Sequence, residues 1–178
     1  MKSSLKATAF TCAALSFFFI TGCSGVMDGE RNMAGGTLTA EQRFTLKDLQ
    51  GDSVSLDQLL TQKKAVLLDF WATWCGYCVE EMPDLVRLQQ RYQAQGFTIL
   101  GVNAGESREL VARFVEKMHV NFPVVLDEET SVSQAFGIVG IPTSVLVGPG
   151  GKVLGEYHSF TPKLESDVRS AVERTANA

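Results

Sequence analysis

The segment WATWCGYCVEEMP, from Trp71 to Pro83, sets two cysteines three positions apart. Just before it, Ala65 to Phe70 (AVLLDF) is a continuous apolar run broken only by Asp69, the pattern of a central strand buried on both faces. Just after it, Met82, Leu85, Leu88 and Tyr92 recur at three- and four-residue steps, which predicts a helix from Cys75 to about Gln95. Pro83 lies one turn past the cysteines and is expected to kink that helix. A cysteine pair at such a strand-to-helix junction admits three readings: a structural staple, half of a metal site, or a redox centre.

Working outward, Phe97 to Val102 (FTILGV) reads as a second buried strand. On the N-terminal side, Phe44–Leu49 and Ser53–Leu56 read as two short strands around the turn Gln-Gly-Asp, with a helical turn from Asp57. On the C-terminal side, Ser107 is placed to cap a helix whose residues Leu110, Val111, Phe114, Val115 and Met118 share one face. Short strand (Pro123–Leu126) and short helix (Ser131–Phe136) patterns follow. Thr143–Val147, the turn Gly148-Pro-Gly-Gly and Lys152–Tyr157 form a hairpin. Thr161-Pro162 then opens a last helix, with proline at the first helical position. Strands alternating with helices, closed by an antiparallel hairpin, predict an α/β fold: a mixed central sheet with helices on both faces and an N-terminal β-hairpin extension.

The N-terminus stands apart from that pattern. Lys2 and Lys6 precede an apolar stretch from Ala7 to Ile20, which at about 14 residues is short for a bilayer span and right for a signal-peptide core. It ends in Ile20-Thr21-Gly22-Cys23, which resembles a bacterial lipobox and makes Cys23 the candidate lipidation site; the alternative is an ordinary cleaved signal with an incidental cysteine. The expected organisation is therefore a signal peptide over residues 1–22, a lipidated flexible tether over 23–36, rich in Gly, Ser, Asp and Asn, and a folded domain over 37–178. Ser24, where an Asp would favour inner-membrane retention, favours the outer membrane. Export places the domain in an oxidising compartment, expected to be the periplasm, where disulfides persist.

Processing simplifies the cysteine count. Cys12 leaves with the signal and Cys23 carries lipid, so Cys75 and Cys78 are the only thiols of the mature domain. The full chain carries 16 basic and 20 acidic residues, net −4; loss of Lys2 and Lys6 makes it −6. With no basic run, this balance excludes the usual electrostatic footprint of a nucleic-acid binder. A structural zinc wants four ligands, and beyond the two cysteines the mature chain has only His119 and His158, without mutual spacing, so no metal is expected. A staple inside one helical turn would constrain little of the unfolded chain, because the benefit grows with loop length. A redox centre accounts for the position. Cys75 at a helix N-terminus faces the positive end of the dipole and unpaired N–H groups, which favour thiolate. Cys78 lies on the same face of the first turn and can resolve a mixed disulfide.

At this point the sequence resembles the thioredoxin superfamily. DFWATWCGYC with Pro83, and Gly140-Ile-Pro-Thr143, are similar to that family's active-site segment and its cis-proline loop. FTLKDLQGDSVSL, WCGYCVEEMPDL, the extra segment from Asn103 to Val139, and GIPTSVLVGPGGKV resemble its membrane-anchored, extracytoplasmic TlpA/ResA-like branch; the resemblance runs from about Thr37 to Glu173. It implies a thioredoxin-like fold and a thiol:disulfide oxidoreductase with Cys75 as nucleophile and Cys78 as resolving thiol. Asp69, an acid that a buried strand tolerates only when paired or neutral, is either a strand-end residue bonded to a loop or, as the resemblance implies, the proton acceptor for Cys78. The branch often carries Asn there. Glu81 matches an active-site glutamate that tunes the pair, while Glu80 needs no role beyond the helix dipole. Pro142 either starts a strand or, by resemblance, follows a cis bond beside the cysteines, leaving Ile141's backbone to pair with substrate. Trp74, Gly76 and Tyr77 complete the candidate substrate-binding set; Trp71 belongs to this rim or to the core.

The resemblance further implies substrates that are disulfide-containing exported proteins, apocytochromes in cytochrome c maturation among them, and a membrane thiol donor of electrons. No cofactor is expected beyond the dithiol itself. Reduction is the expected direction, because Gly-Tyr between the cysteines lacks the His of strongly oxidising relatives. Two rivals stand: a thiol peroxidase of peroxiredoxin type, whose proline ahead of a single cysteine is missing from Ala72-Thr73-Trp74, and a non-catalytic envelope-binding lipoprotein.

Overall fold

The computed structural model describes residues 33–174. The expected signal peptide, Cys12, Cys23 and Ser24 lie outside the described residues. Seven strands form one mixed sheet: β1 (Thr45–Asp48), β2 (Ser53–Ser55), β3 (Ala65–Trp71), β4 (Phe97–Ala104), β5 (Val124–Asp127), β6 (Thr143–Val147) and β7 (Val153–Tyr157), in the order β2-β1-β5-β4-β3-β6-β7. β3, β4 and β5 run parallel; β6, β7 and the β1–β2 hairpin are antiparallel additions on either side. The architecture is the α/β arrangement expected from the pattern and the thioredoxin-like fold that the resemblance implies, with the N-terminal hairpin paired to β5.

β3 sits at the centre with all seven residues buried, which is what its unbroken apolar run requires. Its alternate side chains enter different cores. Ala65, Leu67 and Trp71 face a layer that includes Cys75, Cys78, Met82, Leu85 and Leu88 of helix α2 (Gly76–Tyr92, capped by Cys75) and Leu164, Val168 and Val172 of helix α5 (Pro162–Arg174). Val66, Leu68 and Phe70 face Leu56 and Leu60 of α1 (Leu56–Gln62), Val132 of α4 (Ser131–Ala135), and Phe136 just beyond it. Period-two alternation therefore puts Asp69 on the α2 side, in line with Leu67 and Trp71.

Pro83 does not end α2, which continues through it to Tyr92. The remaining helix, α3 (Arg108–Lys117), begins after Ser107 as expected, but the Ser107 hydroxyl makes no capping bond. Of its expected apolar face, Val111 is fully buried, Phe114, Val115 and Met118 pack partly against the core, and Leu110 is exposed. One position before Val111 on a helix is a rotation of about 100°, which turns Leu110 off the packed face. Thr161 does cap α5, its Oγ1 accepting from the Leu164 N–H at 3.3 Å.

The expected tether boundary differs in one respect. Met33–Gly36, read as part of a flexible segment, is bonded to the outer edge of β7: the Gly35 N–H donates to the Val153 carbonyl and the Val153 N–H to the Gly36 carbonyl, both at 2.9 Å. Thr37 bridges Lys152 beside them. An edge strand offers unpaired backbone groups to any neighbouring chain, and here the preceding segment takes them up through its main chain. A chain beginning at Thr37 loses both bonds and should be about 1–3 kcal/mol less stable than one beginning at Met33, at roughly 0.5–1.5 kcal/mol per bond; urea unfolding of the two chains checks this.

Candidate active site

β3 ends at Trp71, and the chain turns through Ala72-Thr73-Trp74, closed by the Cys75 N–H donating to the Ala72 carbonyl at 3.2 Å. Cys75 then takes the N-cap of α2. Its sulfur accepts from the Cys78 N–H at 3.2 Å, the place where Ser or Asp oxygens sit in other helices. That bond and the dipole of a 17-residue helix both favour negative charge on Cys75 once it is reduced. Here Cys75 and Cys78 form a disulfide with Cα atoms 5.2 Å apart. Cys75 retains 6% exposure and Cys78 1%, so only the first is open to attack from outside.

The other reactive-end residues come from distant parts of the chain. The Ile141–Pro142 bond is cis, and the Ile141 carbonyl oxygen lies 3.7 Å from the Cys75 sulfur. Trp74, just before Cys75, and Tyr77, between the two cysteines, stand out at 72% and 76% exposure, and Gly76 faces open space. Trp71 is not part of this rim. It is fully buried against Phe114, ring centroids 5.0 Å apart, where the strand direction carries it inward.

Asp69 is fully buried. Ser144, its cross-strand partner on β6, donates to Oδ1 at 2.9 Å, while Oδ2 makes no hydrogen bond. Burial, reinforced by the nearby Glu81 carboxylate, pushes its pKa up from 3.8 to about 7. Glu81 is itself buried on α2; burial raises its pKa, although its Oε2 accepts the Phe160 N–H at 2.8 Å. Two acids therefore lie on the α2 side of the sheet beneath the cysteine layer, one of them poised to gain or lose a proton near neutrality.

Sequence reasoning missed Glu106, in the loop after β4. It is nearly buried and holds the turn that carries Trp74 and Cys75: Oε2 accepts from the Thr73 N–H and from the Asn103 amide, both at 2.7 Å, and Oε1 accepts from the Thr73 hydroxyl at 2.6 Å. The pairing spans 33 residues, so no local pattern announces it. The one hint is an acid placed just past a buried strand. His158 has its Nδ1 3.2 Å from the Thr143 hydroxyl, next to Pro142.

The model of the AhpC/TSA family matches residues 39–155. A thiol-disulfide oxidoreductase, ResA of Bacillus subtilis (strain 168), is 36% identical over 131 residues, covering 74% of this chain and 71% of that protein. ResA of Halalkalibacterium halodurans is 40% identical over 111 residues, 62% of each chain. The chain thus spans between 62% and 71% of the length of these two relatives. Among solved structures, the thioredoxin domain of a thiol-disulfide oxidoreductase from Bacteroides vulgatus superposes with a TM-score of 0.66 at 30% identity, covering 80% of this chain and 96% of that one. A thiol:disulfide interchange protein from Bacteroides sp. gives 0.65 at 30% identity, covering 82% and 91%.

Glu106→Ala removes the acceptor for three donors, two part-buried and one buried, and should cost about 2–4 kcal/mol in urea unfolding. Glu106→Gln should cost less than half as much, since its carbonyl can still accept from Thr73 N–H and Asn103 while its amide donates to the Thr73 hydroxyl.

Asp69 makes a second measurement decisive. The folded chain keeps the Asp69 proton up to about pH 7, whereas the unfolded chain releases it near 3.8. The unfolded state therefore binds fewer protons across that window, and its contribution to stability is full below the lower value and lost as pH rises through the upper one. In the oxidised protein Asp69→Asn should flatten this part of the decline of the urea midpoint with pH; an unchanged slope would place the titration elsewhere.

Proposed function

The chain belongs to the AhpC/TSA family, matched over residues 39–155, and from this membership and the Cys75–Cys78 disulfide at the head of α2 we propose that it is an extracytoplasmic thiol:disulfide oxidoreductase that reduces disulfides of exported proteins. The observation that carries the reading is the asymmetry of the pair. One sulfur is capped by a backbone N–H and reaches the surface; the other is sealed beneath it.

In the reduced protein the Cys75 thiolate attacks a substrate disulfide, forming a mixed disulfide and releasing one substrate thiolate, which takes a proton from water. Cys78 gives its proton to Asp69 and attacks the Cys75 sulfur. The Cys75–Cys78 bond forms, the mixed disulfide breaks, and the second substrate sulfur leaves as a thiolate that takes the proton back from Asp69. Two electrons pass to the substrate, and a membrane thiol donor restores the dithiol. The disulfide is the redox group, and no further cofactor enters this cycle. Ile141 and Pro142, with Trp74, Gly76 and Tyr77, form the platform on which an extended substrate segment lies across Cys75. Glu81, buried near Asp69, adjusts how readily the pair accepts and releases protons.

Lipidation at Cys23 would hold the domain at a bacterial membrane, with Ser24 favouring the outer one. No helix among the described residues is long and apolar enough to cross a membrane, and a lipid anchor does not need one. The resemblance of the motifs to the TlpA/ResA-like branch makes cytochrome c maturation a candidate setting, with oxidised apocytochromes as substrates.

With dithiothreitol as reductant, the soluble domain should reduce insulin, and Cys75→Ser should abolish turnover. Full turnover in that variant, or none in the parent, would overturn the proposal; thiol-dependent peroxide consumption without insulin reduction would mark a peroxidase instead. The reduction potential of the pair should lie well below roughly −120 mV, the value of strong oxidants.

A further inference from the structure

A groove of about 690 Å³ opens beside the disulfide, between the first turns of α2, the loop leading to Pro142, and the segment after β7. Its apolar surface includes Tyr77, Ile141 and the wholly exposed Val139. Its charge is of one sign. Glu80, Glu81, Asp84 and Glu156 line it, no Lys or Arg does, and His158 is the only lining side chain able to become a cation. Glu81 is engaged with the Phe160 N–H, and Asp84 pairs with Arg87 outside the groove, an exposed pair that water screens. Exposed Glu80 on α2 and half-buried Glu156 on β7, whose Oε2 accepts the Met33 N–H at 3.5 Å and whose Oε1 lies 3.9 Å from His158 Nε2, supply the carboxylates from opposite walls.

Resting on the oxidoreductase reading, we propose that this groove selects disulfides lying beside Lys or Arg in an extended polypeptide. The chemistry of the two surfaces matches that side-chain class and few others. The aliphatic stem of Lys or Arg can lie along Tyr77 and Val139 while its charged end reaches the carboxylates. An acidic segment meets repulsion there, and a purely apolar one leaves the carboxylates facing it without a partner. The net charge of −4 for the chain adds to the attraction at a distance.

Three peptides test the inference, each with one intramolecular disulfide and differing only in flanking Lys, Glu or Leu residues. At low salt the Lys peptide should be reduced with kcat/KM about tenfold above the Glu peptide, and that ratio should fall toward one as salt rises to about 0.5 M. The double variant Glu80→Gln, Glu156→Gln should lower the low-salt ratio severalfold; the same exchange at Glu116 and Glu173, which do not line the groove, should leave it unchanged. Equal rates for Lys and Glu peptides, a Leu peptide reduced as fast as the Lys peptide, or a ratio indifferent to the double variant would each overturn charge selection. If the double variant does not fold, the salt dependence of the parent ratio decides. Failure to reduce any peptide, or insulin, would instead strike the oxidoreductase reading.

Discussion

Strand β3 is covered on both faces, between parallel β4 and antiparallel β6 in the sheet and between two helical layers above and below it. That burial sets three things at once. It demands an apolar side chain at nearly every position, so the one acid, Asp69, enters the core with a single hydrogen bond on one oxygen and none on the other. It points Asp69 to the face that α2 covers. It also ends the strand where the chain must turn into α2, which leaves Cys75 as the cap. The acid and the nucleophile are placed by one strand, and a change that loosened its packing would disturb both.

The chemistry of Cys75 comes from backbone as much as from side chains. A helix N-terminus leaves N–H groups without partners, and a sulfur at the cap accepts one of them. Nothing in this requires a cationic residue nearby. What tertiary packing adds is enclosure: the Ile141 carbonyl approaches from the loop before β6, Glu106 pins the turn from the loop after β4, and Phe160 ties Glu81 from the start of the last segment. Each contact joins positions more than 30 residues apart, so the reactive end is rigid only when the whole sheet is assembled.

Much of this was legible in the sequence. The buried strand, the helix behind the cysteines, the terminal hairpin and the Thr161-Pro162 start of α5 follow from local periodicity and capping chemistry, which act within a few residues. The exposed rim residues Trp74 and Tyr77 were also identifiable. Trp71 was ambiguous and Leu110 was assigned to the wrong face for a physical reason: both are large apolar side chains beside functional or amphipathic segments, and only packing tells which way each one turns. Met33–Gly36 carried no apolar signal because its attachment to β7 uses main-chain hydrogen bonds. Glu106 was invisible because Thr73, which it holds, lies 33 residues away in the turn after β3.

By itself the sequence determined that two thiols three residues apart would meet at the start of a helix fed by a doubly buried strand, since strand and helix periods constrain neighbours in the chain. The tertiary structure decided what surrounds them. Whether Asp69 finds a partner, which carboxylates face a common groove, and what holds the Trp74–Cys75 turn depend on strand order and register, which bring together groups that no local period relates.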